Sequence, residues 1–200
     1  MPAPASLRPR AHPTITPPQR LVSLPLVLGI DPGLQRTGYG AVVLDGGRPR
    51  LREAGVLVTQ GCGGLGARLH DLHRDVTRLL GDLRPDLIVL EDLFVHRAHP
   101  QTALALGHAR GIIYLAAAAA DLPILALAPS VVKQAVTGSG RASKTQVQAA
   151  VRALLGAGRL ANPHAADALA LAYAGCSRFG TRLGGLADRS VARRPKVAEG

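Results

Sequence analysis

Two acidic residues stand at the ends of the two most apolar runs in the chain. Asp31 closes the run from Leu24 to Ile30, and Glu91 closes Leu87-Ile88-Val89-Leu90. If these runs are adjacent parallel strands, both carboxylates emerge at one carboxyl edge of a sheet, where open α/β folds place their ligands. His164 and Asp167 are three residues apart, on one face of a helix opened by Asn162 as a cap and Pro163 at its first position. Their neighbours Ala165, Ala166, Ala168 and Ala170 are small enough to let that helix approach the sheet closely. Asp31, Glu91, His164 and Asp167 together form an oxygen-rich ligand set with one imidazole. Such a set suits Mg²⁺ or Mn²⁺, and the imidazole moves the preference modestly toward Mn²⁺. Two such ions about 3.5–4 Å apart activate a water and stabilise the leaving oxygen in a phosphodiester displacement. Each residue also has a plainer reading. An Asp after a strand often forms a turn, and an Asp or His in a first helical turn often complements the helix dipole. Spacing alone does not choose between the two.

Two other segments look like phosphate sites. Gly138-Ser139-Gly140-Arg141-Ala142-Ser143-Lys144-Thr145 is one residue away from a P-loop. That motif needs glycine before its lysine so that backbone amides can wrap a phosphate, and Ser143 stands there instead. What remains is a glycine-rich loop leading into a helix beside Arg141 and Lys144, which suits contact with a phosphate backbone as well as it suits a flexible surface loop. Asp31-Pro32-Gly33 with Thr37-Gly38 is similar to the first phosphate loop of actin-like ATPases and sugar kinases, but those need two lobes and this chain has room for one. Phe94, in a stretch with His96, Arg97 and His99, is an apolar group among basic ones. It is suited either to wedging between bases or to ordinary core packing.

The elements that must position these residues are mixed. After the first strand, Gly38 to Leu44 and Leu51 to Thr59 read as strands joined by the hairpin signal Asp45-Gly46-Gly47. Leu65, Leu69, Leu72, Val76 and Leu79 recur at helical spacing with charged residues between them. A strand at 86–91, a helix from about 101 to 120 and a strand at 123–128 follow. Ser143 and Gln146 form a capping box for a helix through Leu155, and the last helix runs from His164 to Ala174. Three strands in hairpin succession followed by helix–strand alternation predict an α/β domain with a mixed sheet and helices on both faces.

The whole chain of 200 residues is long enough for one domain with a real core, and its formal net charge is +11. Much of that charge lies at the ends, because residues 26–177 carry only +4. A polyanionic partner fits this balance. The proline-rich residues 1–25 read as a disordered leader, and residues 178–200 as a disordered basic tail, leaving 26–177 as the domain. Two cysteines, Cys62 and Cys176, make no disulfide framework and no metal motif, which points to reduced thiols and a cytoplasmic protein. No apolar run is long enough for a membrane span, and the apolar stretch after the leading arginines has no small-residue cleavage site.

Taken together, the motifs resemble the RuvC family of Holliday junction resolvases. The matching residues are Leu28-Gly29-Ile30-Asp31-Pro32-Gly33, Thr37-Gly38-Tyr39-Gly40, Glu91 with Phe94, and Leu106-Gly107-His108-Ala109-Arg110-Gly111. They continue with Val132-Lys133-Gln134, Lys144-Thr145-Gln146-Val147-Gln148, and Asn162-Pro163-His164-Ala165-Ala166-Asp167-Ala168. The resemblance covers roughly residues 26 to 176, in order, and leaves the ends outside. It implies a ribonuclease H-like fold with a five-stranded mixed sheet, and a homodimer that nicks two opposing strands of a four-way DNA junction symmetrically. It assigns metal ligation and catalysis to Asp31, Glu91 and Asp167, with His164 where many members carry a further Asp. Lys133 and Lys144 match the family's DNA-contacting lysines, Phe94 its junction-distorting aromatic, and Arg97 lies in the same loop. A RuvA–RuvB branch-migration complex as partner is implied in the same way. Two other readings stay open beside it: a junction-binding module that recruits another nuclease, and a relative that cuts RNA–DNA hybrids.

Overall fold

A computed structural model describes residues 24–59, 63–92, 100–158 and 162–190. Phe94, Arg97, Cys62 and the leader up to residue 23 lie outside the described residues. Three strands open the domain: β1 (Leu26–Asp31), β2 (Arg36–Asp45) and β3 (Arg48–Val58). Gly46 and Gly47 between β2 and β3 both have positive φ, at 56° and 79°. This is the two-residue turn whose twist matches a hairpin, and it explains the glycine pair in Asp45-Gly46-Gly47. Helix α1 (Leu65–Leu83) follows, then β4 (Leu87–Glu91), α2 (Pro100–Ala119) and β5 (Ile124–Leu127). The chain continues with α3 (Pro129–Thr137), α4 (Lys144–Leu154) and α5 (Pro163–Ser190).

The five strands form one sheet in the order β3-β2-β1-β4-β5. β1 runs antiparallel to β2 and parallel to β4, β2 is antiparallel to β3, and β4 is parallel to β5. This is the five-stranded mixed sheet of a ribonuclease H-like fold. Central β1 and β4 are buried on both faces, as their unbroken apolar runs demand. Alternate residues of β1 feed two separate cores. Leu28 and Ile30 pack with Leu72 and Val76 of α1 and Ala109 and Ile113 of α2, while Val27 packs with residues of α3, α4 and α5 on the other face. Among the described residues, no helix is long and apolar enough to cross a membrane.

Two elements differ from the sequence reading. Helix α3 was not foreseen. Pro129 occupies its first turn after Ala128, which provides no side-chain cap, so the usual start signal is missing. The final helix does not end at Ala174: α5 continues to Ser190. Gly180, Gly184 and Gly185 weaken a helix, at roughly 1 kcal/mol each relative to alanine. No proline interrupts the chain before Pro195, however, and Phe179, Leu183 and Leu186 keep helical spacing.

Candidate active site

Two facts of register build the site. Ile30 of β1 pairs with Leu90 of parallel β4, so the next residues, Asp31 and Glu91, end neighbouring strands at the same level. On the other side Asp31 pairs with Gly38 and Gly29 with Gly40, which puts three glycines under α5. A Cβ at Gly29 would lie 2.0 Å from the carbonyl oxygen of Ala168, one at Gly38 2.1 Å from that of His164, and one at Gly40 2.8 Å from the amide of Leu169. The α5 backbone therefore rests directly on bare strand backbone. The helix presents alanine to the sheet, with Ala165, Ala166 and Ala168 fully buried. This close seat carries the helix N-terminus to the carboxyl edge of β1.

Asp31, Glu91 and Asp167 consequently line one pocket, joined by Lys133 of α3, Lys144 of α4 and apolar Val132 and Val147. Asn162 caps α5 as expected, its side-chain oxygen accepting the amide of His164 at 2.9 Å. His164 Nδ1 lies 3.1 Å from Asp31 Oδ2, and His164 lines a neighbouring recess rather than the acidic pocket. Both Asp167 oxygens are engaged: Oδ2 by Lys144 Nζ at 2.7 Å, and Oδ1 by the Gln148 amide at 2.8 Å. Arg141 faces elsewhere and lines the groove between α3 and α4. Its loop is held in place by Gln134, which accepts the Gly140 amide at 2.9 Å and donates to the Gly138 carbonyl at 2.8 Å. The Ser143–Gln146 capping box then starts α4.

Sequence reasoning did not single out two residues that hold this site in place. Gln148 was only part of a matched run, yet its amide fixes the Asp167 carboxylate. Arg110, 7% exposed, donates to the main-chain carbonyl of Glu91 and lies 5.7 Å from the Tyr114 ring centroid. An arginine inside an otherwise apolar helix was the available signal, since a buried guanidinium must have a partner.

The electrostatics are those of crowded carboxylates. Burial first, and then the nearby charge of Asp167, push the Asp31 carboxyl above the ordinary carboxylate range, although the hydrogen bond from His164 pulls the other way. Glu91 is open to solvent on one side and crowded by protein on the other. Crowding pushes its carboxyl up, followed by the charges of Asp31 and Asp167. The Asp167 partner raises the Lys144 ammonium in turn. Among the described residues, no three His, Cys, Asp or Glu side chains are close enough to cage an ion as they stand. Three mutually repelling carboxylates with an ammonium drawn in among them nevertheless have the donor chemistry that a hard divalent cation requires.

The upward shifts have a definite sign for stability. A carboxyl that is raised in the folded state binds its proton more tightly folded than unfolded, so stability falls as the pH climbs from the ordinary carboxylate range to the raised value. Above that window Asp31 and Glu91 both oppose folding. In metal-free buffer at neutral pH, Asp31→Asn is expected to melt at a higher temperature than wild type, and to lose that advantage when the pH drops below the ordinary carboxylate range. Scanning calorimetry with chelator at both pH values checks this.

The profile of the family described as "Crossover junction endodeoxyribonuclease RuvC" matches residues 27–175. The protein of that name from Halorhodospira halophila is 48% identical over 147 residues, covering 73% of this chain and 86% of the relative. The one from Rhodopirellula baltica is 43% identical over 150 residues, covering 74% and 84%. Among solved structures, Thermus thermophilus RuvC superposes with a TM-score of 0.70 at 35% identity, over 78% of this chain and 97% of that one. The same enzyme in complex with a Holliday junction substrate also gives 0.70, at 31% identity over 79% and 97%. The match spans the sheet, the acidic edge and the start of α5 together, and the chain belongs to the RuvC family of crossover junction endodeoxyribonucleases.

Proposed function

We propose that this chain is a structure-selective DNA endonuclease that resolves four-way junctions by paired nicks in opposing strands, in recombination and repair. The observation that carries the reading is the single pocket in which β1, β4 and α5 each deliver one carboxylate and α3 and α4 each deliver a lysine. Asp31, Glu91 and Asp167 would hold divalent ions, two per site, with His164 as a further ligand through its contact with Asp31. Mg²⁺ or Mn²⁺ supplies Lewis acidity toward water and the scissile phosphate when bound.

The chain's own residues do the positioning. Arg110 holds the Glu91 main chain and Gln148 holds the Asp167 carboxylate, so two of the three acidic groups are oriented before any substrate arrives. Lys133 and Lys144, at the pocket wall, suit the phosphates on either side of the cut and add affinity that weakens as salt rises. Arg141, in its separate groove, suits a more distant stretch of backbone, and Phe94 and Arg97 suit the branch point.

Two strands cut symmetrically require two sites related by symmetry, which points to a homodimer. Helix α2 offers the surface for it. Leu104 and Leu115 are 64% and 57% exposed, and Gly107 and Gly111 lie between them on the same face with nothing packed against them. Leu115→Glu is expected to convert the dimer to a monomer without lowering the far-UV helical signal, and to turn paired nicks into single ones. Sedimentation velocity with a strand-resolved cleavage assay tests both. Its working compartment on this reading is the cytoplasm, with a RuvA–RuvB branch-migration complex as the partner that delivers junctions.

The decisive test is a cleavage panel of four-way junction, linear duplex, single strand and RNA–DNA hybrid, each with Mg²⁺, Mn²⁺ or chelator. Metal-dependent paired nicks in the junction alone are the expected result, faster in Mn²⁺ if His164 is a ligand. Junction binding without cutting in any metal would instead mark a recruiting module, and cutting of the hybrid would change the substrate.

A further inference from the structure

Beside the acidic pocket lies a second recess of opposite character. Arg36 at the start of β2, Arg68 in the first turns of α1, His164 of α5, and Gly33 and Leu34 of the β1–β2 turn line it, and among the described residues no acidic one does. The two share a wall, the Asp31–His164 pair in contact at 3.1 Å, because Asp31 lines the acidic pocket and His164 lines the basic one. The Arg68 Nε is buried and has no hydrogen-bond partner among the described residues. A buried donor left unmatched is costly, and no acceptor among the described residues holds this guanidinium through its Nε.

The floor of the recess is rigid. Thr37 Oγ1 donates to the Gly33 carbonyl at 2.8 Å, and Thr59 Oγ1 donates to the Leu34 carbonyl at 2.5 Å, so the β1–β2 turn is pinned at two consecutive carbonyls. A Cβ at Gly33 would sit 2.3 Å from the Arg36 carbonyl, which leaves this turn no slack. Two arginines lining a recess around a fixed turn, with no carboxylate among the described lining residues, match the charge of a phosphate diester.

We propose that this recess is a subsite for a backbone phosphate next to the scissile one on the strand being cut, bound by Arg36 and Arg68. The proposal rests on the endonuclease reading above. Successive phosphates of one strand are about 3.4 Å apart along the helix axis. A strand with one phosphate over the carboxylates thus carries its neighbours past the Asp31–His164 wall. Holding a neighbour there sets which phosphate faces the acidic groups. Arg36 and Arg68 are positioning residues in this scheme, and their effect is tied to one linkage of the DNA.

The test places a neutral methylphosphonate, one linkage at a time, at the positions flanking the cut in a four-way junction. Binding is measured in chelator and cleavage in Mg²⁺, for the full chain and for Arg36→Gln, Arg68→Gln and the double variant. For wild type, one flanking linkage is expected to weaken binding about ten-fold when neutralised, the value of one charge-assisted contact. The double variant should lose about the same on the unmodified junction, and neutralising that linkage should then cost it nothing more. The slope of log affinity against log salt should fall by about one. Equal losses in wild type and variant at every linkage, or no loss in wild type at any, would overturn the proposal. If Arg68→Gln does not fold, Arg36→Gln carries the same comparison, since the Arg36 side chain is exposed. A wild-type chain that neither binds nor cuts the unmodified junction would instead overturn the endonuclease reading itself.

Discussion

Asp31→Asn is expected to lower the rate of junction cleavage by about 10³-fold or more, with junction binding retained. Every 1.36 kcal/mol of lost transition-state stabilisation is a factor of ten in rate, and charge stabilisation of a phosphoryl centre by a held cation is worth several kcal/mol. Asp31 is the central carboxylate of the three. Its charge bears on Glu91, Asp167 bears on it, and His164 touches it. Asparagine keeps the shape and the capacity to accept from His164 but removes the charge that holds a cation. Binding should survive because it draws on Lys133, Lys144 and the arginines, and removing a negative charge near a polyanion opposes none of them. Single-turnover cleavage and a gel-shift titration, run on one preparation, separate the two effects. A variant that cuts at a near wild-type rate would refute the site assignment.

Gly29→Ala is expected to destabilise the fold by about 3 kcal/mol or more, at the upper end of what overpacking a core costs. The added methyl would meet the Ala168 carbonyl at 2.0 Å and the Ala172 amide at 2.6 Å, both backbone atoms of α5. No rotamer change relieves a clash with backbone, so either the helix lifts off the sheet or β1 bends. His164 and Asp167 ride on that helix, so the fraction that still folds should also cleave poorly. Urea denaturation should show a lower midpoint at an unchanged slope, the mark of altered stability rather than altered compactness. Ala168→Gly in the same background should not rescue it, because the contact is with main chain and not with the alanine methyl.

Some of this architecture was legible in the sequence for clear reasons. Asp31 and Glu91 were visible because an acid that ends a long apolar run is conspicuous. Their conditional meeting at one sheet edge required only that β1 and β4 be adjacent and parallel, as the Ile30–Leu90 register makes them. Asn162-Pro163 marked the start of α5 because cap chemistry is local. Other features depended on tertiary contact and left no local trace. Gln148 looks like any surface residue of an amphipathic helix until α4 is laid beside α5. Lys133 was drawn in through family resemblance alone, because α3 has no side-chain cap and is only nine residues long. The separation of His164 from Asp167 into neighbouring recesses was likewise hidden. Spacing of three residues puts two side chains on one face of a helix, but says nothing of which recess each residue lines.

The three acidic groups come from residues 31, 91 and 167, and that order has a consequence in the living cell. Chains emerge from the ribosome amino end first, and domains fold as they appear. Asp31 and Glu91 are synthesised early, but the third carboxylate arrives only with α5, the helix seated on Gly29, Gly38 and Gly40. A product that stops before α5 therefore lacks both Asp167 and one wall of the core. The pocket in which the three carboxylates meet is thus the last part of the domain to be synthesised, brought in by the helix that also fills one face of the sheet.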